Sequence, residues 1–184
     1  MEDNLSLIIY KKLSTKEKLI LYFIVYSFIG WCLETFYAFC VFGCFVKRGF
    51  LFGPVCPIYG FGAILLIINL TKIRKNNIIK FCVAMIIFSI FEFSASWILE
   101  ILFHQRCWDY SGAFLNFQGR ICLSFSILWG IIGLLFINII NPFVSSFIEG
   151  KLKRKNTVIQ RTIIYSFGFL MLIDMISSSI MHII

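Results

Sequence analysis

Charged residues are scarce in this chain, and acidic residues are the scarcest of them. The 184 residues include only nine Asp and Glu, and all charged residues together make up 14%. Hydrophobic residues make up 60%, and the mean hydropathy is +0.91. Soluble domains carry about 25% charged and about 45–50% apolar residues. The composition therefore excludes a soluble domain and predicts a multi-pass membrane protein.

The chain also lacks the short motifs of common catalytic sites. It contains no Walker A pattern, so it cannot hydrolyse ATP with a P-loop of its own. Serine-hydrolase, zinc-protease and kinase signatures are absent as well. Two histidines, and seven cysteines without a CxxC pair, give no metal-binding pattern. We expect no metal and no cofactor, and the missing motifs favour a protein that is not an enzyme.

What the chain has instead is five long apolar runs. Each is at least as long as the roughly 20 residues that a helix needs to cross about 30 Å of hydrocarbon. We predict an all-α bundle of five transmembrane helices in a single domain, residues 1–184, with a cytoplasmic N-terminal segment at residues 1–18. The predicted spans cover residues 19–46, 50–70, 78–104, 121–147 and 158–184.

Basic residues predict the orientation of these helices. With the N-terminus inside, 13 of the 17 Lys and Arg fall in inner segments and 4 in outer segments. Inner loops carry such an excess, so we predict an N-in, C-out protein of the cytoplasmic membrane. The net charge of +8 then belongs to membrane loops, and no nucleic-acid partner is expected. A disulfide among Cys44, Cys107 and Cys122, near the outer face, is left open.

The second run begins with a segment that does not suit a regular helix. Residues 47–62 read KRGFLFGPVCPIYGFG and hold two of the three prolines and four of the twelve glycines. Irregular backbone at membrane depth must be buried in protein or line a wet cavity. A re-entrant segment would reverse every later loop and scramble the charge bias. We therefore predict a second helix that crosses the membrane and is irregular in its first half.

Acidic side chains inside apolar runs are costly, so each one marks a candidate functional site. Glu34, Glu92 and Asp174 lie roughly 2–5 Å from the midpoints of the first, third and fifth runs. We predict a midplane polar site beside the irregular helix. The alternative is that each acid is protonated and has only a structural role. The candidate solute- or ion-binding residues are Glu34, Glu92, Asp174, Tyr59, Trp31 and Ser96.

A second polar group is predicted near the outer face, around the loop at residues 105–119. It could cap the cavity from outside, or its arginines could hold the phosphate of a lipid head group. An ordinary interfacial loop with a salt bridge is equally compatible with the pattern. The members of this group are Arg48, Glu100, Asp109, Arg120, Asn116 and Trp108.

Three stretches together point to a known family. They are YSFIGW at residues 26–31 with Glu34, RGFL…GP…CPIYGFG at residues 48–62, and WDYS…N…GRICL…WG at residues 108–130. With these motifs the chain resembles the bacterial CmpB-like family of type IV ABC-transporter permeases. Lys47 stands where other members usually have Asn. The resemblance implies an integral protein of the bacterial cytoplasmic membrane. An ABC role would require a separate ATPase chain, docked on the basic inner loops at residues 71–77 or 149–157.

Three functions remain open at this stage. The favoured one is a transporter or permease whose buried carboxylates bind a cationic solute or couple to protons. Five spans are few for a complete pathway, so a homo-oligomer or a partner subunit is expected. The alternatives are a membrane-embedded enzyme acting on a lipid or isoprenoid head group near the outer interface, and a small regulatory or assembly subunit of a membrane complex.

Overall fold

The computed structural model describes residues 13–73, 76–104, 106, 108–152 and 156–183. A π-helical turn, Phe136–Ile140, joins the fourth and fifth helices without a break, and two short strands pair antiparallel. The predicted all-α class is confirmed, apart from this small hairpin. The elements are α1 (Thr15–Phe42), α2 (Pro57–Leu70), α3 (Asn77–Phe103), β1 (Asn116–Phe117), β2 (Ile121–Cys122), α4 (Leu123–Leu135), α5 (Asn141–Leu152) and α6 (Thr157–Ile183).

Four stretches of helix are long and apolar enough to cross a membrane: Thr15–Phe42, Asn77–Leu102, Leu123–Gly150 and Thr157–Met181. They correspond to the first, third, fourth and fifth predicted spans. Helix α2 has only 14 residues, which is about 21 Å at 1.5 Å per residue and less than the hydrocarbon thickness of about 30 Å.

The predicted helix over residues 50–70 is therefore too long. Residues 50–56 are not helical, and they coincide with the Gly/Pro-rich part of the run. Pro57 then occupies the first position of α2, where its missing N–H costs nothing and its fixed φ suits a helix start. Five complete crossings and the N-in orientation stay predictions.

Local capping sets the ends of α1. Ser14 and Glu17 form a reciprocal capping box at its start, with the Ser14 hydroxyl 3.2 Å from the Glu17 amide. Gly43 ends the helix in the left-handed conformation, at φ +68°. The helix consequently ends four residues before the apolar run does, because the cap rather than hydrophobicity stops it.

The π turn has an identifiable cause. It lies directly before Pro142, which lacks an N–H and whose ring clashes with the carbonyl four residues earlier in a regular helix. That carbonyl belongs to Asn138, inside the π turn. Widening the helix at this point lets the chain continue through the proline.

The chain divides into two compact units. The first unit holds α1, the beginning of α2, the end of α5, and α6 to residue 182. The second unit, residues 65–145, holds the rest of α2, α3, the hairpin loop and α4. Each unit buries polar side chains of its own, Glu17, Ser27 and Ser178 in the first and Glu92, Ser96 and Arg120 in the second. The single domain over residues 1–184 stays a prediction.

Two sequence predictions fall partly on residues that the structure does not describe. Cys107 lies outside the described residues, while Cys44 and Cys122 are free thiols. The two loops predicted to dock an ATPase include residues 74–75 and 153–155, which also lie outside the described part of the chain.

Candidate functional site

Glu34 is the centre of a polar cluster in the first unit. It comes from α1, and the Tyr59 hydroxyl in the first turn of α2 donates to its Oε1 at 2.5 Å. Arg48, from the loop between the two helices, lies with its Nη2 3.3 Å from Oε2. The Glu34 and Arg48 side chains remain 31% and 38% exposed. The cluster therefore contains an ion pair that is open on one side.

The loop at residues 43–56 lies against α1 beside this cluster. Gly49 has φ +90° and lies close to Trp31 and to the Cys56 sulfur, where a Cβ would meet Sγ at 2.8 Å. Only glycine adopts this conformation readily. At the end of the loop, the Cys56 amide donates to the carbonyl of buried Ser27 at 2.9 Å. The loop backbone is thus tied to α1 next to Trp31 and Glu34.

Asp174 holds the same loop from α6. Its two carboxylate oxygens accept hydrogen bonds from the amides of Phe52 at 3.0 Å and Gly53 at 2.8 Å. The Ser178 hydroxyl donates to Asp174 at 3.1 Å and accepts from the Phe52 amide at 3.2 Å. Non-helical backbone at membrane depth needs partners other than lipid. Asp174 and Ser178 provide those partners.

Glu92 in the second unit has different partners. The Tyr110 hydroxyl donates to its Oε1 at 2.9 Å, and the Trp129 indole N–H donates to its Oε2 at 3.1 Å. Glu92 is buried, and both donors are neutral. The contact joins α3 to α4 and to the long loop between them.

The outer polar group is centred on Arg120, which is buried. Its Nη2 lies 2.6 Å from Glu100 Oε2, and its Nη1 donates to the Ser96 hydroxyl at 3.1 Å. The Arg120 carbonyl accepts from the Trp108 indole at 3.0 Å. Arg106 joins the group at longer range, with Nε 3.5 Å from Glu100 and Nη1 3.8 Å from Asp109. This group pins the outer loop to α3.

The same loop also makes many bonds within itself. The amide and hydroxyl of Ser111 donate to Asp109, and these hydrogen bonds hold the pKa of the Asp109 carboxyl below its usual value. Asn116 donates to the carbonyls of Ser111 and Ala113 and accepts from the Gly119 amide. Burial and the hydrogen bond to Glu92 raise the pKa of Tyr110.

The predicted midplane residues separate into different contacts. Glu34, Tyr59 and Trp31 lie together in the first unit, and Asp174 contacts the adjoining loop. Glu92 and Ser96 belong to the second unit and have their own partners, and Arg48 pairs with Glu34 instead of joining the outer group. A single cavity shared by the three acids stays a prediction.

The helix bounds also change the depths predicted for these acids. The midpoints of α1, α3 and α6 fall between residues 28 and 29, at residue 90 and at residue 170. Glu34, Glu92 and Asp174 therefore lie roughly 8, 3 and 6 Å from the middle of their own helices. The spread is wider than the 2–5 Å expected from the apolar runs, because caps rather than hydrophobicity end the helices.

Several partners of the acids were missed by sequence reasoning. Tyr110 and Trp129 gave no local signal, because they meet Glu92 only through tertiary packing. Buried Glu17 was missed as well, although the Ser-x-x-Glu pattern of a capping box was present. Its carboxylate lies 2.7 Å from Arg161 Nε and accepts from Tyr165 at 3.3 Å.

Four long apolar stretches of helix, with polar groups packed between them, define a multi-pass membrane protein. A family model then identifies the group more closely: the family described as "Putative ABC-transporter type IV" matches residues 21–179. The chain belongs to this family, as its motifs predicted. No curated protein and no solved structure matches it.

Proposed function

We propose that this chain is the membrane-embedded permease subunit of a transporter in the cytoplasmic membrane, and that it handles a charged solute at Glu34, Arg48 and Tyr59. The observation that carries the proposal is the open ion pair between Glu34 and Arg48 beside an irregular loop. Ionisable residues inside apolar helices usually mark solute, ion or proton pathways.

The other two buried acids support this choice by contrast. Asp174 is engaged by backbone amides, and Glu92 is engaged by two neutral donors. Glu34 has a single contact to Arg48 at 3.3 Å, longer than the roughly 2.7–2.9 Å of a strong arginine–carboxylate bond. A long, single and partly exposed contact is the one that a solute can replace most easily.

Arg48 alters the solute expected from the sequence. A lone cation bound at Glu34 would leave Arg48 without a counter-charge in apolar surroundings, which is costly. A solute with one cationic and one anionic group would satisfy both members of the pair. Protonation of Glu34 would release Arg48 in a similar way, so coupling to protons is kept in the proposal.

The energy source would be a separate subunit. The chain has no P-loop, and the family is described as an ABC transporter, so an ATPase partner is part of the proposal. The lipid-enzyme alternative loses support, because Arg48 and Arg120 each already contact a carboxylate.

The test starts from the affinity-tagged chain, extracted from native membranes after mild cross-linking. We expect a P-loop ATPase to co-purify, identified by mass spectrometry, and the complex in nanodiscs to hydrolyse ATP. Glu34→Gln should lower this activity about tenfold, equivalent to roughly 1.4 kcal/mol. Glu149→Gln is the matched control, because Glu149 forms an ion pair with Lys18 away from the cluster.

Arg48→Gln separates the solute classes. A solute carrying both charges requires both partners, so Arg48→Gln should reduce activity as Glu34→Gln does. Full or increased activity in Arg48→Gln would show that the solute is a lone cation. If no ATPase co-purifies, or if Glu34→Gln is fully active, the permease proposal is wrong.

A further inference from the structure

A short sequence pattern occurs twice in this chain. Residues 31–34 in α1 read WCLE, and residues 97–100 in α3 read WILE, 66 residues later. Each pattern is followed, after the helix ends, by an Arg-x-x-Leu sequence that begins at Arg48 or Arg120. Each is then followed by a second helix with an aromatic residue directly before a glycine.

The charged residues of the two copies make the same contact. The glutamate of the first pattern, Glu34, pairs with Arg48 at 3.3 Å, and the glutamate of the second, Glu100, pairs with Arg120 at 2.6 Å. Both glutamates lie three residues after a tryptophan, on the same side of the helix. Each pair is formed entirely within one of the two compact units.

The second helices also repeat their contacts, at a constant spacing. Tyr59-Gly60 in α2 and Trp129-Gly130 in α4 are the aromatic–glycine pairs. Both aromatic side chains donate to a glutamate of the preceding long helix, and both glycines are close to a phenylalanine of it. The residues contacted are Glu34, Gly30 and Phe23 in α1 and Glu92, Phe88 and Phe81 in α3, in each case 58 residues apart.

The difference between the two spacings has a simple geometric meaning. The tryptophan–glutamate patterns are 66 residues apart and the helix contacts 58, so the second pairing is displaced by eight residues, about two helical turns. The segment between glutamate and arginine is also longer in the second copy, with 20 residues between Glu100 and Arg120 against 14 between Glu34 and Arg48. The longer loop allows the displacement.

We propose that the chain contains two copies of one helix–loop–helix module, and that Glu100 and Arg120 form a second site for charged solute groups, equivalent to Glu34 and Arg48. The functional half of this proposal rests on the permease function proposed above. Like the first pair, the second takes an anionic group at its arginine and a cationic group at its glutamate. It is the tighter of the two, because buried Arg120 also bonds Ser96, the counterpart of Gly30.

The test uses Glu34→Cys and Glu100→Cys, each made in a chain whose seven native cysteines are replaced by serine or alanine. Each protein is treated with two water-soluble methanethiosulfonates, one adding a sulfonate and the other a trimethylammonium group. Intact mass gives the extent of modification, and thermal unfolding in detergent gives its effect. Ile90→Cys is the control on the apolar face of α3, where the side chain is exposed and charged reagents should not react.

We expect both glutamate positions to be modified, and the sulfonate but not the trimethylammonium group to raise the melting temperature in both, because it restores the partner of the arginine. If Glu34→Cys responds in this way and Glu100→Cys does not, the second site is wrong and the proposed function stands. If neither is modified, both sites are wrong, whereas the ATPase co-purification still judges the permease function separately.

A second pair of variants covers the case in which a glutamate variant does not fold. Arg48→Cys and Arg120→Cys should show the opposite preference, with the cationic reagent raising the melting temperature in both. A response to charge that differs between these two variants overturns the equivalence.

Discussion

The two loops that follow the tryptophan–glutamate patterns are stabilised in different ways. The loop at residues 43–56 depends on side chains outside itself, because Asp174 and Ser178 bind its amides and Glu34 binds its arginine. The loop at residues 108–122 forms a short hairpin and makes most of its polar contacts internally, through Asp109 and Asn116.

This difference shows where each loop places its dependence. A loop without internal hydrogen bonds, lying beside apolar helices, needs polar groups on those helices, and this explains acidic residues in spans. A loop with its own hairpin needs only a few anchors to its helices, here Tyr110, Trp108 and Arg120. The first loop should therefore be far more sensitive to mutations in distant helices.

The largest effect is expected for Asp174→Ala. The substitution leaves the amides of Phe52 and Gly53 without their acceptor, and hydrogen bonds to charged groups contribute about 1.5–3 kcal/mol each. We expect the free energy of unfolding, measured by denaturant titration in detergent, to fall by about 3 kcal/mol. Asp109→Ala, in the exposed second loop, is the control and should change it little. Equal losses in both variants would contradict the comparison.

Glycine-to-alanine substitutions should rank next, and should be similar in the two modules. A Cβ at Gly60 would overlap Ser27 and Phe23, and one at Gly130 would overlap Phe81. Overpacking of this kind costs about 1–3 kcal/mol, which differential scanning calorimetry would detect as a lower Tm. Gly112→Ala is the matched control, because nothing lies within 4 Å of a Cβ there. A neutral Gly60→Ala or Gly130→Ala would show that the helices can separate freely.

A smaller effect is expected for Tyr110→Phe, which removes one hydrogen bond from Glu92 and leaves the ring in place. The expected loss is about 1 kcal/mol in the same denaturant titration. Burial raises the pKa of Tyr110 above its unfolded value, so its contribution is complete below about pH 10 and is lost as pH rises further. The wild-type protein should therefore lose stability at alkaline pH more steeply than Tyr110→Phe. Identical alkaline profiles would count against the contact with Glu92.

The smallest effect concerns Asp109 at acidic pH. Hydrogen bonds from Ser111 lower its folded pKa, so its contribution is present above the unfolded value of about 3.9 and is lost as pH falls through the folded pKa. Asp109→Asn should show a flatter profile of Tm between neutral and acidic pH than the wild type. A steeper profile in the variant would reverse the sign assigned here.

Much of the fold could be predicted from the sequence, and less of the site. The apolar runs located all four membrane-length stretches of helix, and the motifs identified the family. The Gly/Pro-rich residues 50–56 were expected to be irregular, but not that α2 would begin only at Pro57. Glu34, Tyr59 and Trp31 were grouped correctly. Arg48 was assigned to another group, because sequence spacing does not show where a loop folds back.

The sequence by itself determined the class of protein, since composition and run length decide whether a chain partitions into a bilayer. It also determined the helix caps, which depend on residues within one turn of each other. Only the tertiary structure decided which partner each acid has. Asp174 meets Phe52 across 122 positions and Glu92 meets Trp129 across 37. Such pairings depend on the rotation and displacement of one helix against another, which local hydrophobic periodicity does not encode.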